Sequence, residues 1–384
     1  MLTALTVMLM ASCSAGPEPA APATPISPAT DRNQASDEPV PAPAQPTPTA
    51  DQTPTVTAGP TTPATPAVTA SGLPIPSIDL AAPLVWYAPN MGSVDYPDLF
   101  TAPEQWSAAR DRVDVFQFYG NNVSGTPFDI GGDNVLDTFV DAQAFSQLHQ
   151  WQIAVSLELG VIKFFECTAG PWADYAQLAV DNVEANGGRV SFISMDEPLV
   201  GAQVTEGGTT CGLTMAETAT VVRDFVDQVS AAHPDVLIGD IGAYPHHSVA
   251  ELEEWIATLE SAGARPAFFH LDVDIERVRV EGQNVGRDLR RLRDYCTEHG
   301  IPFGVILTSN WTQAGSDEDY FRSTLRWTRT VADAIGRPAH AIFQSWQGPA
   351  ASGFHEVPIN LPESGSEAFS HTRLILAGLD VLEP

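Results

Sequence analysis

The residues with the clearest capacity for chemistry lie in Arg189-Val-Ser-Phe-Ile-Ser-Met-Asp-Glu-Pro198. Val190 to Ser194 is a short apolar run with β-branched residues. It is entered from the turn-forming Asn186-Gly-Gly188, and Pro198 blocks ladder pairing just past two adjacent acids. Asp196 and Glu197 are therefore expected at the C-terminal end of a buried strand. In an alternating β/α chain that edge is where active sites are built, because the loops leaving it vary while the scaffold beneath holds them still. The competing reading is an Asp-Glu-Pro turn facing water.

Such acids need a frame, and from residue 83 onward strand-like runs alternate with helix-like ones. The strands read Leu84 to Ala88, Val113 to Tyr119, Ile153 to Leu157, Val190 to Met195, Val236 to Asp240, Ala267 to Asp272, Phe303 to Thr308 and His340 to Trp346. Amphipathic segments follow at Ala102 to Arg110, Val135 to Trp151, Trp172 to Ala185, Met215 to His233, Val249 to Ala262, Val285 to His299, Glu318 to Ile335 and Glu367 to Leu379. Eight β/α units over about 300 residues predict a closed parallel (β/α)8 barrel. The chain has no Gly-x-Gly-x-x-Gly after a first strand and no Walker loop, so the usual nucleotide signatures are missing.

The predicted strand ends carry Asn90, Tyr119 with Asn121, Glu158, Asp196 with Glu197, Asp240, Asp272 with Asp274, Asn310 with Trp311, and Gln344 with Trp346. Alternation places Ser156 and Glu158 on one face, and His270, Asp272 and Asp274 on one face, with apolar neighbours opposite. If the polar faces line the barrel mouth, several carboxylates share one low-dielectric cup and push each other's pKa values apart. For each acid taken singly, a salt bridge or a loop cap is an equal alternative. Tyr119, Trp311 and Trp346 offer flat faces suited to the C–H faces of a sugar, whose hydroxyls the acids and amides can bond. Trp86 and Trp327 are assigned to the core or a helix face.

The ends of the chain differ from its middle. Residues 1–12 read as a lipoprotein signal, an apolar run leading into Met10-Ala-Ser-Cys13, with Cys13 as the lipidated residue, although no Lys or Arg precedes the run. Residues 13–76 hold half of the 32 prolines and few large apolar side chains, so they read as an extended Pro/Ala/Thr-rich tether. Residues 77–384 form the barrel domain. The formal charge of −30 lies mostly there, which argues against nucleic acid as a partner, and membrane contact is expected only through the lipid anchor. Lys163 is the sole lysine. Cys167 and Cys211 each fall in a loop after a predicted strand and are expected to form a disulfide on one rim, whereas Cys296 reads as a buried thiol. The cysteine spacing gives no metal motif, and no cofactor is implied.

These features resemble the TIM-barrel glycoside hydrolases, especially the clan whose acid/base glutamate ends strand four in an Asn-Glu-Pro-like motif. The matching residues are Asp196-Glu197-Pro198, and Ser345-Trp346 resembles that clan's sugar-stacking tryptophan on strand eight. The resemblance implies Glu197 as acid/base and Trp346 as the floor of a sugar site. Asp196 stands where the clan has asparagine, and strand seven ends Leu307-Thr-Ser-Asn-Trp311 without the clan's nucleophilic glutamate. The second carboxylate is therefore sought in Asp272, then Glu158 or Asp240. Short segments also resemble uncharacterised exported bacterial proteins.

The leading expectation is a lipid-anchored, extracytoplasmic, monomeric glycoside hydrolase acting on a poly- or oligosaccharide. Substrate contacts are expected from Asn90, Tyr119, Asp240, His270, Asp274, Asn310, Trp311, Gln344 and Trp346. A non-catalytic glycan-binding lipoprotein is the first rival. A metal-dependent hydrolase using His270, Asp272 and Asp274 is the second.

Overall fold

The computed structural model describes residues 78–90, 92–125, 135–205, 209–309, 315–346, 357–365 and 368–383. Cys13, the tether, Asn310 and Trp311 lie outside them. The described residues form the expected (β/α)8 architecture. Eight parallel strands close into a barrel in sequence order: β1 (Leu84–Ala88), β2 (Val115–Tyr119), β3 (Ala154–Leu159), β4 (Val190–Met195), β5 (Leu237–Tyr244), β6 (Phe269–Val273), β7 (Phe303–Leu307) and β8 (His340–Gln344). Closure comes from β1, which pairs with both β2 and β8 and leaves no exposed edge.

Period-two alternation sorts each strand between two cores. The inward positions low in the barrel are apolar: Leu84, Trp86, Val115, Ala154, Phe192, Ile241, Phe268, Ile306 and Ile342. Trp86 plugs the middle, its ring centroid 4.8 to 5.3 Å from those of Phe192, Phe268, His270 and His340. Gly239 fits only because it lacks a Cβ, which would overlap the Phe268 ring. The outward residues, such as Phe116, Leu157, Ile193 and Phe269, pack under the surrounding helices. Two residues farther along β2, β3, β4 and β8, the inward positions become polar as Gln117, Ser156, Ser194 and Gln344, all buried.

Several elements differ from expectation for identifiable reasons. β5 does not stop at Asp240 but continues to Tyr244, where Pro245 ends it. The expected helix from Val135 to Trp151 is two helices, Val135–Asp141 and Ala144–Gln150, parted where Gln143 takes a left-handed φ of 55°. The last helix, His371–Leu382, starts later than Glu367 because the Ser370 hydroxyl caps it by accepting from the Arg373 N–H. Short helices that no local pattern announces include Pro198–Gln203 directly after β4 and Ile275–Glu281 directly after β6. These two start at Glu197 and Asp274 and so decide where those acids point.

Cys167 and Cys211 are bonded, joining the loop after β3 to the loop after Pro198–Gln203. Cys296 is a buried free thiol. The bridge spans 44 residues in sequence, and loop-closure entropy for that span is worth about 4 kcal/mol. Replacing both cysteines by serine should therefore move the urea midpoint down by a corresponding amount. Unchanged unfolding would show that the loops are held by packing alone.

Candidate active site

Glu158, near the end of β3, is the most firmly held of the acids. One carboxylate oxygen accepts from Gln117 Nε2 at 2.7 Å and from Gln344 Nε2 at 2.6 Å. The Gln117 amide is itself oriented by the Ser156 and Ser194 hydroxyls, which donate to its Oε1 at 3.1 and 3.0 Å. Gln344 also donates to the Tyr119 hydroxyl, and that hydroxyl donates to the Ser345 carbonyl. A chain of neutral dipoles thus runs across β2, β3, β4 and β8 beneath one carboxyl group. Burial, and after it the charge of Asp196, raises the Glu158 pKa well above the ordinary range.

At the end of β4 the chain turns sharply. Glu197 is buried and adopts φ 47° and ψ 54°, a left-handed conformation that costs a non-glycine residue on the order of 1 kcal/mol or more. The turn lets Pro198 begin a helix at once, with Gly201 pressed so closely against the Ile162 carbonyl oxygen that no Cβ would fit. Burial raises the Glu197 carboxyl well above its usual range, with the charges of Asp272 and Asp196 adding to it and that of Lys163 opposing. Asp272, on the inward face of β6, is raised too, chiefly by burial and then by Glu158, Asp196 and Asp274. Its Oδ1 is buried without a hydrogen-bond partner. Asp196 is committed differently, accepting from the Lys163 ammonium at 2.6 Å.

Four expected site residues therefore meet at the C-terminal mouth: Glu158, Asp196, Glu197 and Asp272. Tyr119 and Gln344 sit beneath them, and Trp346 packs half-buried against the apolar interior. Asn90 is fully buried, its amide donating to the Ser345 hydroxyl and the Val357 carbonyl, so it ties the end of β8 to Val357.

Three expectations are corrected by position. Asp240 belongs to the outward face of β5, because Gly239 and Ile241 take the inward places, and its carboxylate accepts from Trp255 Nε1 of helix Val249–Ala262 at 2.8 Å. It is neither a second carboxylate of the mouth nor a substrate ligand. His270 has the parity of Asp272 but lies one layer down, its Nε2 2.8 Å from His340 Nδ1 in the aromatic plug. Since His340 Nε2 faces the Leu80 carbonyl, His340 Nδ1 is the acceptor and His270 the donor. Asp274 N-caps Ile275–Glu281, accepting from the Arg277 N–H at 2.9 Å. The set His270, Asp272 and Asp274 consequently converges on no common point, which removes the metal-hydrolase reading built on it.

Gln117, Ser194 and Lys163 are functional neighbours that sequence reasoning missed. Gln117 carried a signal: it is a lone amide between two phenylalanines in a buried strand, in phase with Tyr119. Lys163 carried another as the chain's only lysine.

No protein-family model matches the chain. No curated protein matches it either. Among solved structures it is similar to a family 26 β-mannanase from Bacteroides ovatus, at 12% identity over 81% of this chain and 90% of that one, with a TM-score of 0.49. It is similar also to an endo-β-1,4-mannanase double mutant from Cellulomonas fimi, at 12% identity over 79% and 71% of the two chains, TM-score 0.48. The catalytic domain of a hyperthermophilic chitinase from Pyrococcus furiosus matches at 15% identity over 79% and 97%, TM-score 0.45. These scores fall below 0.5, so the barrel assignment rests on this chain's own strand pairing.

Proposed function

We propose that the barrel hydrolyses a glycosidic bond in an extracytoplasmic glycan, with Glu197 as proton donor and Asp272 as the second carboxylate. The observation that carries this reading is the trio of buried carboxyl groups, Glu158, Glu197 and Asp272, raised together at the C-terminal mouth of the barrel. Glycoside hydrolysis needs one protonated acid at the leaving oxygen and one carboxylate at the anomeric carbon or its attacking water. A buried acid pair whose charges disfavour each other supplies both, one member protonated and the other ionised.

In the proposed reaction the Glu197 proton passes to the glycosidic oxygen as its bond to the anomeric carbon breaks. Asp272 either bonds that carbon, to be displaced later by water, or takes a proton from the water that attacks it. Retention goes with carboxyls roughly 5 Å apart and inversion with about 6.5 to 9.5 Å, so Glu197 and Asp272, which share a hydrogen bond without substrate, must part to admit the bond they cleave. Glu158, fixed by Gln117 and Gln344, keeps one oxygen for a sugar hydroxyl, and Trp346 offers a stacking face. The disulfide suits an oxidising compartment, in line with export and a lipid anchor at Cys13.

The test is hydrolysis of a panel of β-mannan, chitin, β-glucan and α-glucan oligosaccharides, with the anomer first released read by proton NMR. Turnover of one substrate class, lost in Asp272→Asn, is expected. Tight binding of a glycan by the unaltered protein with no cleavage over days would remove the hydrolase reading and favour a glycan-binding lipoprotein.

A further inference from the structure

Lys163 is the one lysine in a chain of 384 residues carrying 48 acids, and it stands at the site. Its side chain is 15% exposed, and its ammonium donates to Asp196 Oδ2 at 2.6 Å and to the Asp196 carbonyl at 3.2 Å. The loop bearing it is constrained from several sides. Lys163 and Glu166 exchange backbone hydrogen bonds at 3.1 and 2.8 Å across a two-residue turn, Phe164-Phe165. Cys167, next after Glu166, is bonded to Cys211, whose sulfur lies 3.4 Å from the Lys163 carbonyl oxygen. The helix Pro198–Gln203 packs on Ile162 through Gly201 with no room for a side chain. A flexible cation has thus been placed on a braced loop, bonded to Asp196 and within reach of the Glu197 charge.

Three carboxyl groups act on this one cation, Asp196 and Glu197 from the end of β4 and Glu158 from β3, while Asp272 from β6 adds its charge to that on Glu197. In a low-dielectric cup several adjacent carboxylates cannot all be ionised, so a single cation decides where the first negative charge resides. We propose that Lys163 is a positioning residue that holds Asp196 as the charged member of the cluster, leaving the exchangeable proton to Glu197 and its partners. The inference rests on reading the mouth as a proton-transferring site. It predicts that Lys163→Met leaves an unbalanced charge beside Glu197 and delays Glu197 ionisation to higher pH.

The experiment uses the full-length chain grown with 13C,15N-lysine, which yields one side-chain signal because there is one lysine. The Lys163 ammonium should titrate above the ordinary lysine value of about 10.4. In Asp196→Asn it should titrate about one to three pH units lower, the usual effect of losing an adjacent opposite charge. With 13C-glutamate labelling, the Glu197 carboxyl, assigned by its loss in Glu197→Gln, should titrate about one unit higher in Lys163→Met and return toward the native position in Lys163→Arg. The proposal is overturned if Lys163 titrates alike in the native chain and in Asp196→Asn. It is equally overturned if Glu197 titrates alike in the native chain and in Lys163→Met. Should Lys163→Met fail to fold, the Asp196→Asn and Lys163→Arg proteins decide. These titrations need no substrate, so they decide the role of Lys163 even if no glycan is found to be cleaved. Where a substrate is found, the pH profile of kcat/KM should shift with Glu197 while KM stays put.

Discussion

Glu197→Gln should lower kcat on a natural glycan by roughly 10²- to 10⁴-fold, the contribution of a positioned general acid, while the circular dichroism spectrum is unchanged. Glutamine fills the same volume and keeps the left-handed turn that starts Pro198–Gln203, so the variant tests proton transfer and not packing. The loss should shrink on a substrate with a good leaving group, such as a dinitrophenyl glycoside, because a stable phenolate departs without a proton. The same substitution removes a carboxyl group whose ionised form is disfavoured by burial and then by Asp272 and Asp196, so the variant should melt higher than the native chain at pH 8. Equal losses on both kinds of substrate would transfer the acid role away from Glu197.

Thermal stability should peak on the acid side of neutrality and decline toward pH 8 to 9. Burial pushes Asp240 up to about 8, against about 3.9 in an unfolded chain. Between those values the fold retains a proton that the unfolded chain has released, so stability falls as pH rises through that window. Glu158, Glu197 and Asp272 are raised by burial as well and act in the same direction. The buried histidines act in the opposite sense. His340 is lowered to about 4, His371 to about 3, and His270 well below its usual value, all chiefly by burial, so the unfolded chain takes up protons below about pH 6.5 that the fold refuses. The two groups oppose each other between about pH 4.5 and 6.5, and above that only the carboxyl effect continues.

For Asp240 alone the ceiling is on the order of 5 kcal/mol, from about 1.4 kcal/mol per pH unit. Asp240→Asn keeps an acceptor for Trp255 Nε1 and should flatten much of the decline, raising the melting temperature at pH 8.5 by about 5 °C or more with little change at pH 5. A melting temperature that climbs from pH 6 to pH 8, or an Asp240→Asn curve parallel to the native one, would contradict the assignment. Because Asp240 faces the helix layer and meets the mouth only through the charge of Glu197, this variant reads stability without removing a group of the mouth.

The barrel was legible in the chain because its signals are local. Apolar runs of strand length, turn residues between them and helix-period segments recur eight times, and each needs only its own few residues to be read. The same is true of the acids that end β4, since Pro198 marks the stop beside them. Asp196, Glu197, Glu158 and Asp272 could accordingly be named in advance, as could the pairing of Cys167 with Cys211 from their shared rim.

Where those side chains point was decided only by the closed barrel. Asp240 and Asp272 both looked like terminal acids, yet β5 runs four residues past Asp240 and turns that carboxylate toward Trp255, while β6 ends one residue past Asp272 and leaves it in the cup. A shift of one position along a strand exchanges inside for outside, and the register depends on neighbours far away in sequence. Asp274 was claimed by the N–H groups of a helix start that no local pattern announced, and His270 by a histidine 70 residues away on β8. The amides under Glu158 come from β2, which pairs with β3, and from β8, which lies across the barrel from it in the strand order, so only closure brings them together. Composition and period determined that acids would collect at one end of a barrel. Parity, layer height and capping, all properties of the assembled sheet, determined which of them face one another there.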